Sequence, residues 1–489
     1  MPVKPPNVLL LMTDQQRWDT LGYTGRTPCR TPNLDRLARE GVACDRCLAA
    51  DPICSPSRAT LFTGRYAHAT GVGNNLELPL ERPTLLEVYR DAGYHIGYSG
   101  KWHLGRGRGA LAIGDWPGER GQGYKQWLRE HNFPDTYPYM TPEFSFPTPG
   151  TERTAGRISS PHTAPQEGLT EWLHDAWVVQ RALEQLERRP PGQPFFHVCS
   201  LIGPHPIFVI PEPFYSLYDP ADAPEPPNFA DPMVDKPAYQ RRSIWHGAAA
   251  AHGTDWERWR RSQSVYWGFV TLLDELLGRV LNRLDALGPA EDTIVVMVSD
   301  HGEMMGSHGL FQKSCMYEES LRVPCLVRAP GLIPAGRRVD APVSLVDLAP
   351  TLLALTGHRE AGQALLEPQG VDRSGWLTGR ERVPPASRGA TADLAAGAVF
   401  SEYKPYQGEG GTDVRCVIGP RFKYVWNRDD RDELYDTWAD PYELHNLTSE
   451  PSAATTLAAL RRRLSDWQRD TADPLAEEAA RAGHIEGAT

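Results

Sequence analysis

The chain has little cysteine, no long apolar run and no surplus of positive charge. Eight cysteines in 489 residues are too few for a disulfide scaffold. The strongest apolar runs, 8–12 and 294–298, are far too short to span a bilayer, so no membrane anchoring is expected. The opening MPVKPPNVLLLMTD lacks the long apolar stretch and small-residue cleavage site of a secretory signal. A cytoplasmic location is therefore the expectation. Lys and Arg number 51 against 62 Asp and Glu, a net charge of −11, and the basic clusters at 241–242 and 461–463 are short. That balance excludes the basic stripe of a nucleic-acid binder. Internal repeats and low-complexity tracts are missing too, which removes solenoids and linkers from consideration.

What remains is a large globular chain, 40% hydrophobic, with 44 glycines and 44 prolines that imply many ordered loops. Residues 8–12 form a continuous apolar run ending at Thr13-Asp14, the pattern of a buried parallel strand. A helix follows from Thr31-Pro32 to Gly41, then a strand-like run at 42–50, a helix through Phe62, a helix at 83–91 and a strand at 95–99. From 116 to about 170 the sequence reads as a long irregular excursion. Helix returns at 171–187, strand at 195–200, helix at 265–287 and strand at 293–298, the last ending at Ser299-Asp300-His301-Gly302. Such alternation predicts an α/β fold with a large, mostly parallel sheet sandwiched by helices. Ligands gather at the carboxyl ends of such strands, where Asp14 and Asp300 both fall. After about residue 377 short strands at 399–403, 414–418 and 422–426 and a helix at 455–470 predict a smaller antiparallel-sheet subdomain. The expected division is a catalytic domain at 1–375 and a C-terminal subdomain at 376–489.

The segment Cys54-Ser55-Pro56-Ser57-Arg58-Ala59-Thr60-Leu61-Phe62-Thr63-Gly64 carries the strongest chemical signal. It puts a thiol where a strand gives way to a helix N-terminus, with Arg58 one turn on. Free N–H groups, the helix dipole and a guanidinium all favour an anion there. The residues alone leave two readings open, a low-pKa nucleophilic thiol or a buried cysteine beside a capping serine. Cys44 and Cys47 make a C-x-x-C pair within an apolar stretch, with no second pair to complete a zinc site, and read as small buried residues.

The eleven-residue string resembles the signature of type I sulfatases in the alkaline phosphatase superfamily. Asn7 to Gln16, Gly100-Lys101-Trp102-His103, Gly203-Pro204-His205-Pro206, Ser299 to Glu303, Gly309 to Lys313 and Asp432 to Leu447 follow the family's segments in order. The resemblance implies an alkaline-phosphatase-like fold and conversion of Cys54 to Cα-formylglycine by a dedicated generating enzyme. The hydrated aldehyde is then the nucleophile toward a small-molecule sulfate ester. It further implies one divalent metal ion held by Asp14, Gln15, residue 54, Asp300 and His301. Arg58, Lys101 and Lys313 supply positive charge, His205 and Lys313 serve the leaving alcohol, and His103 takes a proton in the second step. Asn75 falls where some relatives contact a substrate oxygen.

Two departures bear on substrate and metal. Gln15 stands where many sulfatases have a second aspartate, and His301 where many have asparagine. An imidazole favours transition metals, so Mn²⁺ stands beside Ca²⁺. The same pair resembles the phosphonate monoester hydrolase and phosphodiesterase branch, which makes hydrolysis of those esters the alternative activity. A catalytically silent metal-binding protein is a third reading, but it predicts gaps among the functional positions and the main ones are all filled. The oligomeric state, a homo-oligomer included, stays open.

Overall fold

The computed structural model describes residues 5–73, 77–106, 109–110, 122–131, 163–166, 170–384, 397–405 and 412–485. Every residue of the first strand, Asn7–Thr13, is buried, as a strand covered on both faces requires. It lies at the middle of a seven-stranded sheet in the order Arg337–Val339, Val42–Cys44, Cys325–Arg328, Thr293–Ser299, Asn7–Thr13, Phe195–Ser200, His95–Gly100. Six strands run the same way, and Cys325–Arg328 alone runs against its neighbours. The expected mostly parallel sheet is present.

Alternation along each strand builds the sandwich. Leu9, Leu11, Cys199, Val295 and Met297 face one apolar layer, which includes the helices Pro32–Glu40, His174–Arg188 and Trp256–Ala286. Val8, Leu10, Met12, Phe196, Val198 and Val296 face the other, which includes Cys54–Thr63, Leu85–Asp91 and Leu348–Leu355. Leu10 is fully buried, and Leu10→Ala there would cost about 2–5 kcal/mol. The 31-residue helix Trp256–Ala286 starts nine residues before the apolar period predicts (265 − 256). Its first turns are mostly polar, and the Asp255 side chain caps the Glu257 N–H at 3.1 Å, a signal that hydrophobic periodicity does not see. Asp274 on that helix accepts the N–H groups of Asn33 and Leu34 at 3.1 and 2.8 Å, tying down the start of Pro32–Glu40.

Other elements shift by smaller amounts. The strand-like run at 42–50 is two short strands, Val42–Cys44 and Cys47–Leu48, in different sheets. The helix expected at 83–91 is Leu85–Asp91, started by a capping box between Thr84 and Glu87. Most of the excursion at 116–170 lies outside the described residues, although a helix, Gln122–Glu130, and a strand, Thr163–Gln166, fall within it.

Further along, Val399–Tyr403, Val414–Ile418, Phe422–Asn427 and Glu433–Asp436 form a separate four-stranded antiparallel sheet. The helix Ala454–Asp470 packs Leu457, Leu460, Leu464 and Trp467 against Phe400, Val417, Tyr424 and Trp426. The fourth strand escapes sequence reading because ELYD is short and set among turn residues. Lys423 of this sheet reaches back to Glu318 at 3.3 Å, beside the loop that carries Lys313.

Candidate active site

Register brings the first two site residues together. Thr13 pairs with Ser299 across neighbouring parallel strands, so the next residues, Asp14 and Asp300, leave the same edge of the sheet side by side. Both are fully buried. Oδ1 of Asp300 accepts the backbone N–H of Gln15 at 3.1 Å and of His301 at 3.0 Å. Tyr266 on the long helix donates its hydroxyl to the Gln15 carbonyl at 2.8 Å and accepts the Arg17 N–H at 3.0 Å. That helix thereby fixes the turn after Asp14.

The helix Cys54–Thr63 opens at Cys54, after an extended Ile53, and all ten residues are buried. Ser57 Oγ donates to the Asp300 carbonyl at 2.6 Å, pinning the first turn over the strand end. Cys54 Sγ lies 3.1 Å from His301 Nε2 and 3.8 Å from Asp14 Oδ1. One ligand atom each from Asp14, Cys54, Asp300 and His301 lies within 4.8 Å of the others. His301 Nδ1 faces the Gly302 carbonyl at 3.0 Å, which accounts for a proton on Nδ1, and Nε2 points inward at Cys54 Sγ, where it becomes a ligand atom once it gives up its own proton. Two carboxylates, an imidazole nitrogen and residue 54, converging in a buried space, fit a divalent metal.

Arg58 is fully buried and its donors are committed to the protein. Nε donates to Asp300 Oδ2 at 2.9 Å, Nη2 to Asp14 Oδ2 at 3.2 Å, and Nη1 to Ser200 Oγ and the Lys101 carbonyl, both at 2.8 Å. It holds the two carboxylates in place. Lys101 pairs directly with Asp14. It follows Gly100, whose φ is +93° and where a Cβ would lie 1.9 Å from the Ser200 carbonyl oxygen, so only glycine delivers the lysine here. Lys313 Nζ bridges Gln15 Oε1 at 2.5 Å and Cys54 Sγ at 3.6 Å. His205 Nδ1 faces the Pro206 carbonyl at 2.7 Å. The His103 carbonyl accepts Ser55 Oγ at 2.7 Å, while its buried Nδ1 has no hydrogen-bond partner among the described residues. Asn75 lies outside the described residues.

The charges are arranged unevenly. Burial pushes the Asp14 carboxyl up, but Lys101, His205, Arg58 and His301 together hold it well below the usual range. Burial and the neighbouring Asp14 charge raise Asp300. Burial and Asp14 also oppose a thiolate at Cys54, yet Lys101, Lys313 and His301 bring the thiol well below its ordinary value. Burial and Lys313 depress His205. The site is built for anions.

Sequence reasoning brought Asp14, Gln15, Cys54, Arg58, Lys101, His205, Asp300, His301 and Lys313 into one neighbourhood, and the structure places them there. It missed Ser57, Ser200, Tyr266 and Glu303, which orient those groups. Ser57 and Glu303 stand inside recognisable motifs, whereas nothing in the sequence singles out Ser200 or Tyr266.

The family model of sulfatases matches residues 6–358, and that of the N-sulphoglucosamine sulphohydrolase C-terminal region matches 306–470. The chain belongs to the sulfatase family and is a sulfuric ester hydrolase of the alkaline phosphatase superfamily. Among its relatives, an ulvan-active sulfatase of Formosa agariphila is 31% identical over 466 residues, 92% of this chain and 78% of that protein. An arylsulfatase of Clostridium perfringens is 27% identical over 94% of this chain and 93% of its own. Among solved structures, a phosphonate monoester hydrolase from Silicibacter pomeroyi superposes with a TM-score of 0.77 at 25% identity, covering 95% of this chain and 96% of that one. Among the described residues, no helix is long and apolar enough to cross a membrane.

Proposed function

We propose that the protein hydrolyses sulfate monoesters of small alcohols or phenols at the Asp14–Cys54–Asp300–His301 cluster, with Cys54 converted to Cα-formylglycine by a generating enzyme. The observation that carries this reading is the buried convergence of those four ligand atoms at the end of the sheet. Asp14, Asp300, His301 and residue 54 would hold one divalent ion, with Gln15 as a weaker neutral ligand. A bound ion supplies Lewis acidity that neutralises the ester oxygens and favours an ionised hydroxyl. The imidazole in the set favours Mn²⁺ over Ca²⁺. Converted residue 54 offers two hydroxyls, one to attack sulfur and one to expel sulfate.

The chain's own residues divide the rest. Lys101 and Lys313 offset the negative charge of the ester, and Arg58 keeps Asp14 and Asp300 in register. Asp300, raised by burial and by Asp14, receives the proton of the attacking hydroxyl. His205, with Nδ1 facing the Pro206 carbonyl, and Lys313 flank the leaving oxygen, and the Lys313 ammonium gives it the proton. His103, whose Nδ1 has no hydrogen-bond partner among the described residues, takes the proton of the second step. Asn75 is assigned a substrate oxygen.

We divide the chain into a catalytic domain at 1–375 and a C-terminal subdomain at 376–489. All eight cysteines are free and buried, which accords with work in the reducing cytoplasm. Two measurements test the main reading. The peptide containing residue 54 should show the mass of an aldehyde in place of CH₂SH, and aryl sulfates should be cleaved faster than matched aryl phosphonates. An unmodified, fully active Cys54 would overturn it. Faster phosphonate cleavage would favour the second reading, a phosphonate monoester or phosphodiester hydrolase. The Gln15–His301 combination and the likeness to the Silicibacter pomeroyi enzyme support that alternative.

A further inference from the structure

Glu303 is fully buried and places both carboxylate oxygens at the margin of the site. Oε1 accepts the backbone N–H groups of Met305 at 3.0 Å and Gln312 at 2.6 Å. These bonds clamp both ends of the loop that delivers Lys313. The loop needs the clamp. Met305, His308, Gln312 and Ser314 all have left-handed backbone, with φ of 43°, 53°, 66° and 77°, a conformation costing on the order of 1–3 kcal/mol for each such residue.

Oε2 of Glu303 accepts the side-chain N–H of Gln15. An amide has one donating end and one accepting end. With its nitrogen held by Glu303, Gln15 must turn Oε1 the other way, where it receives Lys313 Nζ at 2.5 Å. The same ammonium lies 3.6 Å from Cys54 Sγ. One carboxylate therefore governs two groups that face residue 54, a neutral oxygen and a cation. If the Gln15 amide were reversed, its NH₂ would oppose both the ammonium and any bound cation.

We propose that Glu303 is a positioning residue of this site, which through Gln15 and the 304–312 loop sets an oxygen donor and the Lys313 ammonium beside residue 54. The inference rests on the metal-holding reading above and concerns only how this chain orients its own groups toward the ion.

The test is Mn²⁺ affinity of metal-free protein, followed by electron paramagnetic resonance, in E303Q, Q15A, the double variant Q15A/E303Q and the exchanged pair Q15E/E303Q. Glutamine at 303 still accepts from Met305 and Gln312 but can no longer accept from Gln15. E303Q should weaken Mn²⁺ binding roughly tenfold to a hundredfold, as loss of a partner behind a ligand does, with little change in thermal midpoint. In the Q15A background the same change should have almost no further effect. The exchanged pair restores a donor–acceptor bond between the two positions and should recover most of the affinity. Unchanged Mn²⁺ affinity in E303Q, an equal loss in the Q15A background, or no recovery in the exchanged pair would overturn the proposal. Should E303Q fail to fold, the exchanged pair decides alone: recovered folding and Mn²⁺ affinity support the role, and their loss overturns it. A wild-type protein that takes up no ion would instead sink the reading on which the proposal rests, and the proposal with it.

Discussion

Arg58 Nε lies 2.9 Å from Asp300 Oδ2, with both side chains fully buried, although the two residues stand 242 positions apart in the sequence. The same guanidinium reaches Asp14 at 3.2 Å. Two carboxylates at adjacent strand ends repel each other, and a planar cation with several fixed donors holds them together. Arg58→Lys keeps the charge but not the fork, so it cannot hold both carboxylates at once. We expect catalytic activity to fall by roughly 10²-fold through misplacement of the carboxylates. Arg58→Ala should also cost about 3–5 kcal/mol of stability, because it leaves buried charge uncompensated. Steady-state kinetics and chemical denaturation of both variants check this; equal activity in Arg58→Lys would contradict it.

Asp300→Asn tests the metal assignment with almost no change in shape. The substitution removes one anionic donor while leaving an oxygen that can still accept the N–H groups of Gln15 and His301. Metal content after dialysis should drop from one ion per chain to near zero, with activity lost in parallel. The loss of affinity should exceed the roughly 10–100-fold typical of partners behind a ligand. Elemental analysis of dialysed protein gives the answer, and full occupancy would remove Asp300 from the ligand set.

The site was legible in the sequence to the extent that it consists of motifs at strand ends and helix starts. Asp14 and Asp300 could be placed because each ends a continuous apolar strand, and Cys54 because it opens a helix. What sequence could not give is the direction in which long side chains spend their donors. Arg58 reads as one of three positive charges of the site, yet its donors go to Asp14, Asp300, Ser200 and the Lys101 carbonyl, a pattern set by tertiary packing across four segments. Glu303 sits in a recognisable string, but only the fold shows it clamping Met305, Gln312 and Gln15. Among fold elements, the same limit hid the split at 45–46 and the strand Glu433–Asp436, both of which are defined by pairing partners rather than by pattern.

Away from the site, His68 predicts a pH dependence of stability. Its Nδ1 lies 2.9 Å from Glu402 Oε2 and its Nε2 3.2 Å from the Thr471 carbonyl. Both neighbours are acceptors, so both ring nitrogens must carry protons for the two bonds to exist. Burial opposes that charge, as does Arg415, but the Glu402 charge and hydrogen bond, with Asp473, raise the imidazole above its ordinary 6.5. A pKa raised on folding contributes stability that is complete below the unfolded value and is lost as pH rises through the folded one. Wild-type stability should therefore decline above about pH 6.5, and His68→Gln should flatten that decline. Denaturation midpoints of both proteins across neutral to mildly alkaline pH measure it; parallel curves would show that His68 is not the titrating group.

Residue 54 allows the sharpest test of the two-step chemistry. Cys54 is only 2% exposed and sits at the first position of a buried helix. Cys54→Ala removes the sulfur without disturbing the helix, since alanine is the best helix former, and should leave a folded protein with essentially no esterase activity. Cys54→Ser is more informative. Serine has one hydroxyl, directed among Asp14, His301 and Lys313 as the thiol is now, so it can still attack sulfur and release the alcohol. The sulfate ester left on the serine has no neighbouring second hydroxyl on the same carbon to expel it. Covalent catalysis stalls when its second step lacks a route. The serine variant should therefore release about one equivalent of alcohol per site and then stop, or turn over very slowly. Mass spectrometry after incubation with an aryl sulfate should find the added sulfate on position 54. Sustained turnover at the wild-type rate would mean that water attacks the sulfur directly, and the need for two hydroxyls on residue 54 would be refuted.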